Sequence, residues 1–327
     1  AITYHAQEHY FGRNLDLPRS YGESVVVTPR NFPLPFRRVP SMDRHYALIG
    51  VALTAEGYPL YYDAVNEKGL GMAGLNFPDN AVYQPEDPRR DNVAPFELIP
   101  WILGQCASLE EARALLDRLN LAGIPFSRQL PLAPLHWLLA DRTGALAVEP
   151  VREGLQVYEN SAGVLTNNPP FPYHKEHLAH FLHLTREMPE NRFSPALHLR
   201  PCSLGLGSFG LPGDWSSASR FVRAAFTRLN AAPGRDEAEN VSQFFHILDA
   251  VAQPRGCVQA GEADDECTVY SSCCNTGRGL YYYTTYENRQ ITCVALHREN
   301  LDGSHLAEYP MLRRPKIALQ NGAAPSL

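Results

Sequence analysis

No stretch of this chain approaches the roughly 18 consecutive apolar residues of a membrane-spanning helix, so a helical membrane protein is excluded as a reading. No run of Lys or Arg is present, and the formal charge is −6. That argues against a general nucleic-acid binder. No C-x-x-C pair recurs among Cys106, Cys202, Cys257, Cys267, Cys273, Cys274 and Cys293. Seven is an odd number. Free thiols in a reducing cytoplasm account for them better than a disulfide framework or a zinc site. No G-x-S-x-G elbow occurs, which weakens an α/β-hydrolase reading. A charged n-region with an apolar h-region is also missing. Ala1 is not an initiator, and a strand begins with no lead-in, so the sequence is expected to start inside a processed or trimmed terminus. There is no internal repeat and no linker long enough to divide the chain.

What is present suits a large buried core. The 327 residues are 44% hydrophobic and 20% charged, and 27 are proline, which predicts many fixed loops. Ile2–Tyr4 and His9–Phe11 read as two short strands joined near Ala6–Glu8. Strands are further expected at Ser24–Thr28 and Tyr46–Leu53. Leu60–Val65 and Gly69–Leu75 read as a hairpin. Pro95–Cys106 has helical spacing. Ser108 and Glu111 form a capping box ahead of Ala112, Leu115, Leu116 and Leu119. Leu135–Asp141, Ala145–Glu149 and Leu155–Tyr158 read as a meander, with Gly163–Thr166 as its short fourth strand. Helices follow around His174–His183, Ser217–Asn230 and Glu237–Val251, the first two separated by a long loop, Pro189–Asp214. Cys267–Ser272, Gly279–Tyr286 and Gln290–Leu296 close the chain as strands. Strands and helices come in blocks rather than in βαβ alternation. This predicts an α+β fold, antiparallel sheets covered by helices, in one domain spanning 1–327.

Two tempting motifs fail on context. Gly205, Gly207 and Gly210 match a dinucleotide fingerprint, but no strand precedes them and Leu211–Pro212–Gly213–Asp214 follows where a helix should open. His174, His177, His180 and His183 drift about 60° per step around a helix, so they do not converge on one ion. The vicinal Cys273–Cys274 pair reads as inert strand packing.

The polar residues at strand ends and helix starts carry more. In the opening stretch AITYHAQEHYFGRNLD, Arg13 and Asp16 lie three apart at the end of a strand. Gly12 stands just before them, where the backbone needs positive φ or a close approach. Alone, that is equally a surface turn with a local ion pair. Asn76 ends one strand and Asn167 another. Arg220 opens a helix. Side-chain amides at strand ends can donate to an oxyanion, although turn-forming asparagines are commoner.

Taken in order, FGRNLD (Phe11–Asp16), TPRNF (Thr28–Phe32), NEKGLG (Asn66–Gly71), GLNFP (Gly74–Pro78), LHW (Leu135–Trp137), GVLTN (Gly163–Asn167), GLPGD (Gly210–Asp214), ASRFVR (Ala218–Arg223), FFHIL (Phe244–Leu248) and YYYTTYEN (Tyr281–Asn288) resemble the choloylglycine hydrolase family of bile salt hydrolases and penicillin V acylases. The resemblance implies an N-terminal-nucleophile hydrolase, a four-layer αββα sandwich of two antiparallel sheets. It implies a cysteine nucleophile at the mature N-terminus, expected just upstream of Ala1. None of the seven cysteines in the chain replaces it, because none carries a free α-amine. The α-amine, with an ordinary pKa of about 7.7–8.0, is the local base. Arg13 would sit beside the thiol and lower its pKa. Asp16 would orient the amine. Asn76 and Asn167 would stabilise the oxyanion. Arg220 would balance the charge of the site.

By the same resemblance no cofactor and no metal is needed. The substrate is a glycine- or taurine-conjugated bile acid. Asn76, where penicillin V acylases tend to have tyrosine, favours that substrate. Leu15, Tyr21, Ala55, Phe126, Leu130 and Leu135 are the expected apolar trough, and Ala55 is smaller than the aromatic some relatives carry there. A homotetramer in the cytoplasm of a gut-associated bacterium is implied, with the loop Pro189–Asp214 between subunits. The alternatives are a penicillin V acylase, a catalytically silent bile-acid-binding member and an acylhomoserine lactone acylase.

Overall fold

The computed structural model describes residues 1–261 and 264–321; residues 262–263 and 322–327 of the expected 1–327 domain lie outside them. In chain order the strands and helices are β1 (Ile2–His5), β2 (His9–Leu17), β3 (Ser24–Thr28), β4 (Leu48–Ala55), β5 (Tyr58–Asn66), β6 (Gly71–Asn76), β7 (Asp91–Val93), α1 (Leu98–Gln105), α2 (Leu109–Leu116) and β8 (Leu119–Leu121). They continue as β9 (Leu135–Asp141), β10 (Gly144–Val151), β11 (Gly154–Glu159), α3 (Phe171–His177), α4 (Ser217–Asn230), α5 (Glu237–Asp249), β12 (Val258–Gln259), β13 (Asp265–Asn275), β14 (Leu280–Thr285), β15 (Thr292–Ala295) and β16 (Ala307–Pro310).

Two antiparallel sheets form the centre. One runs β1-β2-β13-β14-β15, with β12 added beside β13; the other runs β11-β10-β9-β6-β5-β4-β3-β16. The run SVVVT shows how they stack. Val25 and Val27 point into the core between the sheets, and Val26 points into a second core with Leu98, Ile102 and Leu116 of α1 and α2. A strand buried on both faces reads as a continuous apolar run, not as an alternating one. On the other sheet Phe11 faces the ring-bearing gap at Gly71, while Tyr10 packs on Phe244 of α5 with ring centroids 6.4 Å apart. Phe221, Ala224 and Ala225 of α4 join the same core. The layers are therefore α4/α5, sheet, sheet, α1/α2. This is an α+β sandwich.

Local signals explain several element ends. Ser108 accepts the Glu111 N–H at 3.2 Å and caps α2, while the Glu111 carboxylate accepts from Ala107 N at 2.7 Å, one residue earlier than a capping box predicts. The expected Pro95–Cys106 helix opens as a 3₁₀ turn over Pro95–Glu97 before α1 begins.

Three expectations change in ways that matter for the site. The second strand does not stop at Phe11: β2 runs on through Leu17, so Arg13 and Asp16 lie within a strand. Gly12 is there for close approach rather than positive φ, since a Cβ would collide with the Ser272 carbonyl of β13. Gly163–Thr166 is not a fourth meander strand. Asn160 accepts from Gly163 N and donates to Val164 O, turning the chain back across to the N-terminus. There Thr3 N donates to Gly163 O and Leu165 N to Ala1 O, both at 3.0 Å. The histidine helix ends at His177, followed by a 3₁₀ turn over Leu178–Phe181. The Gly205–Gly210 stretch is loop with one short 3₁₀ turn.

Candidate active site

The end of β2, the end of β6, the segment after Val164 and the start of α4 converge on one cavity of about 420 Å³. Ala1, Arg13, Leu15, Asp16, Asn76, Leu135, Asn167 and Arg220 all line it. The geometry is a chain of polar contacts. Asn167 donates through Nδ2 to the Asn76 carbonyl at 2.7 Å, and its Oδ1 accepts from Arg220 Nη2 at 2.8 Å. Arg220 Nη1 lies 3.8 Å from Asp16 Oδ2, and Asp16 Oδ1 accepts from Thr268 Oγ1 at 2.6 Å. The side-chain amide of Asn76 is exposed and makes no hydrogen bond among the described residues.

Asn167 is braced from outside the cavity too. Its N–H donates to Ser217 Oγ at 2.9 Å, and its carbonyl pairs with His174 Nε2 at 2.9 Å. His174, one of the four spaced histidines, is buried and stacks on Phe221. One residue earlier, the Thr166 carbonyl pairs with His136 Nε2 at 2.9 Å. The other ring nitrogen of His136 meets Glu149 Oε1 at 2.9 Å, and that carboxylate accepts from Phe171 N. Every peptide group next to the Asn167 amide is thus fixed, which is what preorganised donors require.

Arg13 is only 4% exposed. Its guanidinium donates to the carbonyls of Gly74, Tyr62 and Asn14, so it is held by backbone rather than by a carboxylate. The Ala1 nitrogen donates to Leu165 O at 2.8 Å. A terminal amine at this point of the chain is pushed well below its ordinary value by burial first, then by Arg13 and Arg220, while Asp16 and Asp63 pull the other way.

A second cavity, about 360 Å³, adjoins the first and shares Tyr62, Gly74, Ala133 and Leu135 with it. Its wall is apolar, with Phe96, Phe126 and Leu130 prominent. Phe96 and Phe126 meet edge to face at 5.2 Å. Of the expected trough residues, Phe126 and Leu130 line this cavity, Leu15 lines the polar one, and Leu135 lines both. Tyr21 and Ala55 line neither. Tyr21 is exposed beside Arg19, and Ala55 sits at the β4–β5 turn.

Three acidic neighbours escaped the sequence reading. Glu266 lines the polar cavity, its carboxyl pushed up by burial and by Asp16. Glu149 and Asp63 are buried. Asp63 did leave a signal, as the one acid in the strand YPLYYDAVN.

A family model described as linear amide C–N hydrolases, choloylglycine hydrolase family, matches residues 1–309. The chain belongs to the choloylglycine hydrolase family. Within it, the chain is 51% identical over 311 residues to a bile salt hydrolase/transferase of Lactiplantibacillus plantarum, covering 95% of this chain and 96% of that protein. It is 38% identical to a bile salt hydrolase/transferase of Clostridium perfringens, covering 92% of each. Among solved structures, an arginine-to-leucine variant of conjugated bile acid hydrolase from Clostridium perfringens superposes with a TM-score of 0.90 at 36% identity, over 98% of this chain and 99% of that one. Penicillin V acylase from Agrobacterium tumefaciens shares the fold, with a TM-score of 0.74 at 18% identity over 94% of this chain and 90% of that one. This choloylglycine hydrolase family member is thus a hydrolase of linear amides built on an α+β sandwich. Among its described residues, no helix is long and apolar enough to cross a membrane.

Proposed function

We propose that this protein hydrolyses the amide bond of glycine- or taurine-conjugated bile acids through a cysteine thiolate at its mature N-terminus. The observation that carries the reading is the junction of the two cavities at Leu135. A pocket that carries Arg13, Arg220, Asp16 and Glu266 opens directly onto an aromatic-lined apolar one. That suits an amide whose acyl side is a large apolar body and whose amine side carries an anionic group. Identities of 35–51% to proteins named for bile salt or conjugated bile acid hydrolysis support the same substrate.

The nucleophile fits the register of β1 and β2. Ile2 pairs with Gly12, and beyond it the β2 edge on that side has no strand partner among the described residues. Residues leading into Ala1 would continue along that edge beside Leu15 and Asp16. A thiol there lies among Arg13, Arg220 and Asp16. The two cations favour thiolate, and the α-amine takes and returns the proton. The thiolate adds to the carbonyl carbon, and the oxyanion is met by the side-chain amides of Asn76 and Asn167. The C–N bond breaks as the ammonium protonates the leaving amine, giving a thioester. Water, deprotonated by the amine, adds to the thioester and releases the acid and the thiol. Arg13 balances the thiolate, Asp16 orients the amine, and Arg220 holds Asp16 and Asn167 together. Phe126, Leu130 and Leu135 take the steroid body at about 25 cal/mol per Å² of apolar surface covered.

Assembly as a homotetramer belongs to the same proposal. The exposure of Leu182, Phe193, Leu204 and Phe209 in the segment leading to α4 supports it, and light scattering after gel filtration tests it. A cytoplasmic location is supported by seven unpaired thiols and is tested by cell fractionation.

The deciding experiment is amino-acid release by the gene-encoded protein from glycocholate, taurocholate and penicillin V. Release of glycine or taurine, lost when the N-terminal cysteine is replaced by alanine, is the expected result. Release from penicillin V alone shifts the substrate reading. No release from any of the three overturns the reading.

A further inference from the structure

Beneath the polar cavity lies a buried carboxylate with no role in the reaction outlined above. Asp63 sits in β5 at 1% exposure. Its Oδ1 accepts from the Tyr270 hydroxyl at 2.5 Å, and its Oδ2 accepts from the Tyr281 hydroxyl at 2.5 Å and from Ser272 Oγ at 3.3 Å. Burial pushes this carboxyl up, and Arg13 with three hydroxyl donors from β13 and β14 on its two oxygens works against that, in favour of the charged form. Ser272 also accepts the backbone N–H of Arg13 at 3.2 Å, so its hydroxyl proton is free for Asp63. The residue before Asp63, Tyr62, supplies a carbonyl that accepts from Arg13 Nη1 at 3.1 Å.

Arg13 needs such a partner. A buried guanidinium keeps its charge, and an uncompensated buried charge is strongly destabilising. Its Nε and Nη1 donate to neutral carbonyls, and its Nη2 meets no acceptor among the described residues. Of the two carboxylates that line the cavity, Asp16 is engaged with Arg220 and Thr268, and Glu266 makes no ion pair with Arg13 among the described residues. Asp63 is a buried carboxylate that Arg13 acts on without a direct ion pair, and it is tied to Arg13 through Ser272 and through the Tyr62 carbonyl.

We propose that Asp63 is a positioning residue for the amide hydrolysis: held by Tyr270, Tyr281 and Ser272, its carboxylate is the buried counter-charge that fixes Arg13 at the cavity wall. This rests on the hydrolase reading above. The groups facing Asp63 are Arg13 from β2, Tyr270, Ser272 and Cys274 from β13, and Tyr281 from β14. Arg13 is the one cationic side chain among them, and a terminal amine at Ala1 also feels Asp63, so loss of the Asp63 charge leaves the cavity more positive.

The test compares wild type, D63N, S272A and Y281F in the gene-encoded protein. Glycine release from glycocholate is measured across pH, with thermal unfolding alongside. D63N is expected to lose about 30-fold or more in kcat, with KM changed less than about threefold, because misplacing a group at the reacting centre acts on the transition state. Its acid limb in kcat/KM moves to lower pH, since a more positive site favours the thiolate and the neutral amine. S272A and Y281F keep the charge and lose one donor each, so their kcat is expected to fall about 3- to 10-fold with the acid limb unmoved. A folded D63N with wild-type kcat overturns the assignment. So does a D63N whose pH profile is unchanged and whose loss follows its unfolding temperature alone. If D63N does not fold, wild-type kcat in both S272A and Y281F overturns it. A wild type that releases no glycine refutes the hydrolase reading itself, and the Asp63 assignment falls with it.

Discussion

Asn76 and Asn167 both border the polar cavity, yet the structure loads them very differently, and that contrast is testable. Asn167 holds Arg220 Nη2 through its Oδ1 and the Asn76 carbonyl through its Nδ2. Truncation to alanine removes both bonds and leaves the Arg220 fork short of an acceptor. One bond to a charged group and one neutral bond together put the cost at about 2–4 kcal/mol of stability. The Asn76 amide is exposed and bonds to nothing among the described residues, so its truncation costs less than about 0.5 kcal/mol. On activity the two should agree. Losing either oxyanion donor is worth about 10²–10³ in kcat. The assay is glycine release from glycocholate at saturating substrate, with chemical denaturation of the same samples. N76A should be as stable as wild type and crippled in kcat; N167A should be both unstable and crippled. An N76A protein with kcat within about fivefold of wild type would refute the donor role of Asn76. Equal destabilisation by both substitutions would refute the account of how Asn167 is held.

Three further outcomes follow from the cavity walls and from one buried acid. Truncating Phe126 or Leu130 to alanine removes steroid-facing apolar surface, so KM for glycocholate should rise roughly 10- to 30-fold with kcat nearly unchanged; an unchanged KM places the steroid elsewhere. Tyr21→Ala and Ala55→Ser, off both cavities, should leave KM within about twofold of wild type, and a larger rise in steady-state assays would return those residues to the trough. Burial alone would raise the Asp141 carboxyl, but the Thr143 hydroxyl and the N–H groups of Leu109 and Thr143 outweigh it and hold the carboxyl below its ordinary 3.8. Its stabilisation is therefore complete above that value and lost as pH falls through the lowered one. The gap in unfolding temperature between wild type and D141N should hold from neutral pH down to about pH 5 and shrink as pH falls below about 4, and a constant gap would refute this.

Strand positions were legible in the sequence wherever apolar runs were bounded by turn residues. Ser24–Thr28 and Ser217–Asn230 stand as expected to the residue. The β9–β11 meander is there for the same reason. What local pattern cannot carry is pairing across the chain. Gly12 signalled a close approach, but not that Ser272, some 260 residues on, is the group approached. The short strands β7, β8, β12 and β16 gave too few residues for periodicity to register. β16 borrows its place from β3, whose edge it covers.

The site shows the same limit more sharply. Arg13, Asp16, Asn76, Asn167 and Arg220 were named from strand ends, a helix start and a family resemblance, and all five line one cavity. Their supports were invisible for a physical reason. A residue that lines a cavity carries a chemically distinctive side chain at a local boundary, whereas its brace needs only to be polar and in the right place in three dimensions. His174 and Ser217 hold Asn167, and His136 holds Thr166 beside it, from three different elements, and none has a local motif that says so. Gly163 is the exception that leaves a trace. Its φ is +61°, and a Cβ there would lie 2.7 Å from the Arg228 guanidinium carbon, whose Nε donates to the Thr3 carbonyl. Only glycine lets the 163–165 segment pass between Arg228 and β1 and dock on the N-terminal strand. Ala1 is thus held by Leu165, and the strand that follows it by β2, before any substrate arrives. A nucleophile carried on a chain end needs this clamp, because a free terminus loses in conformational entropy what its amine contributes as a base.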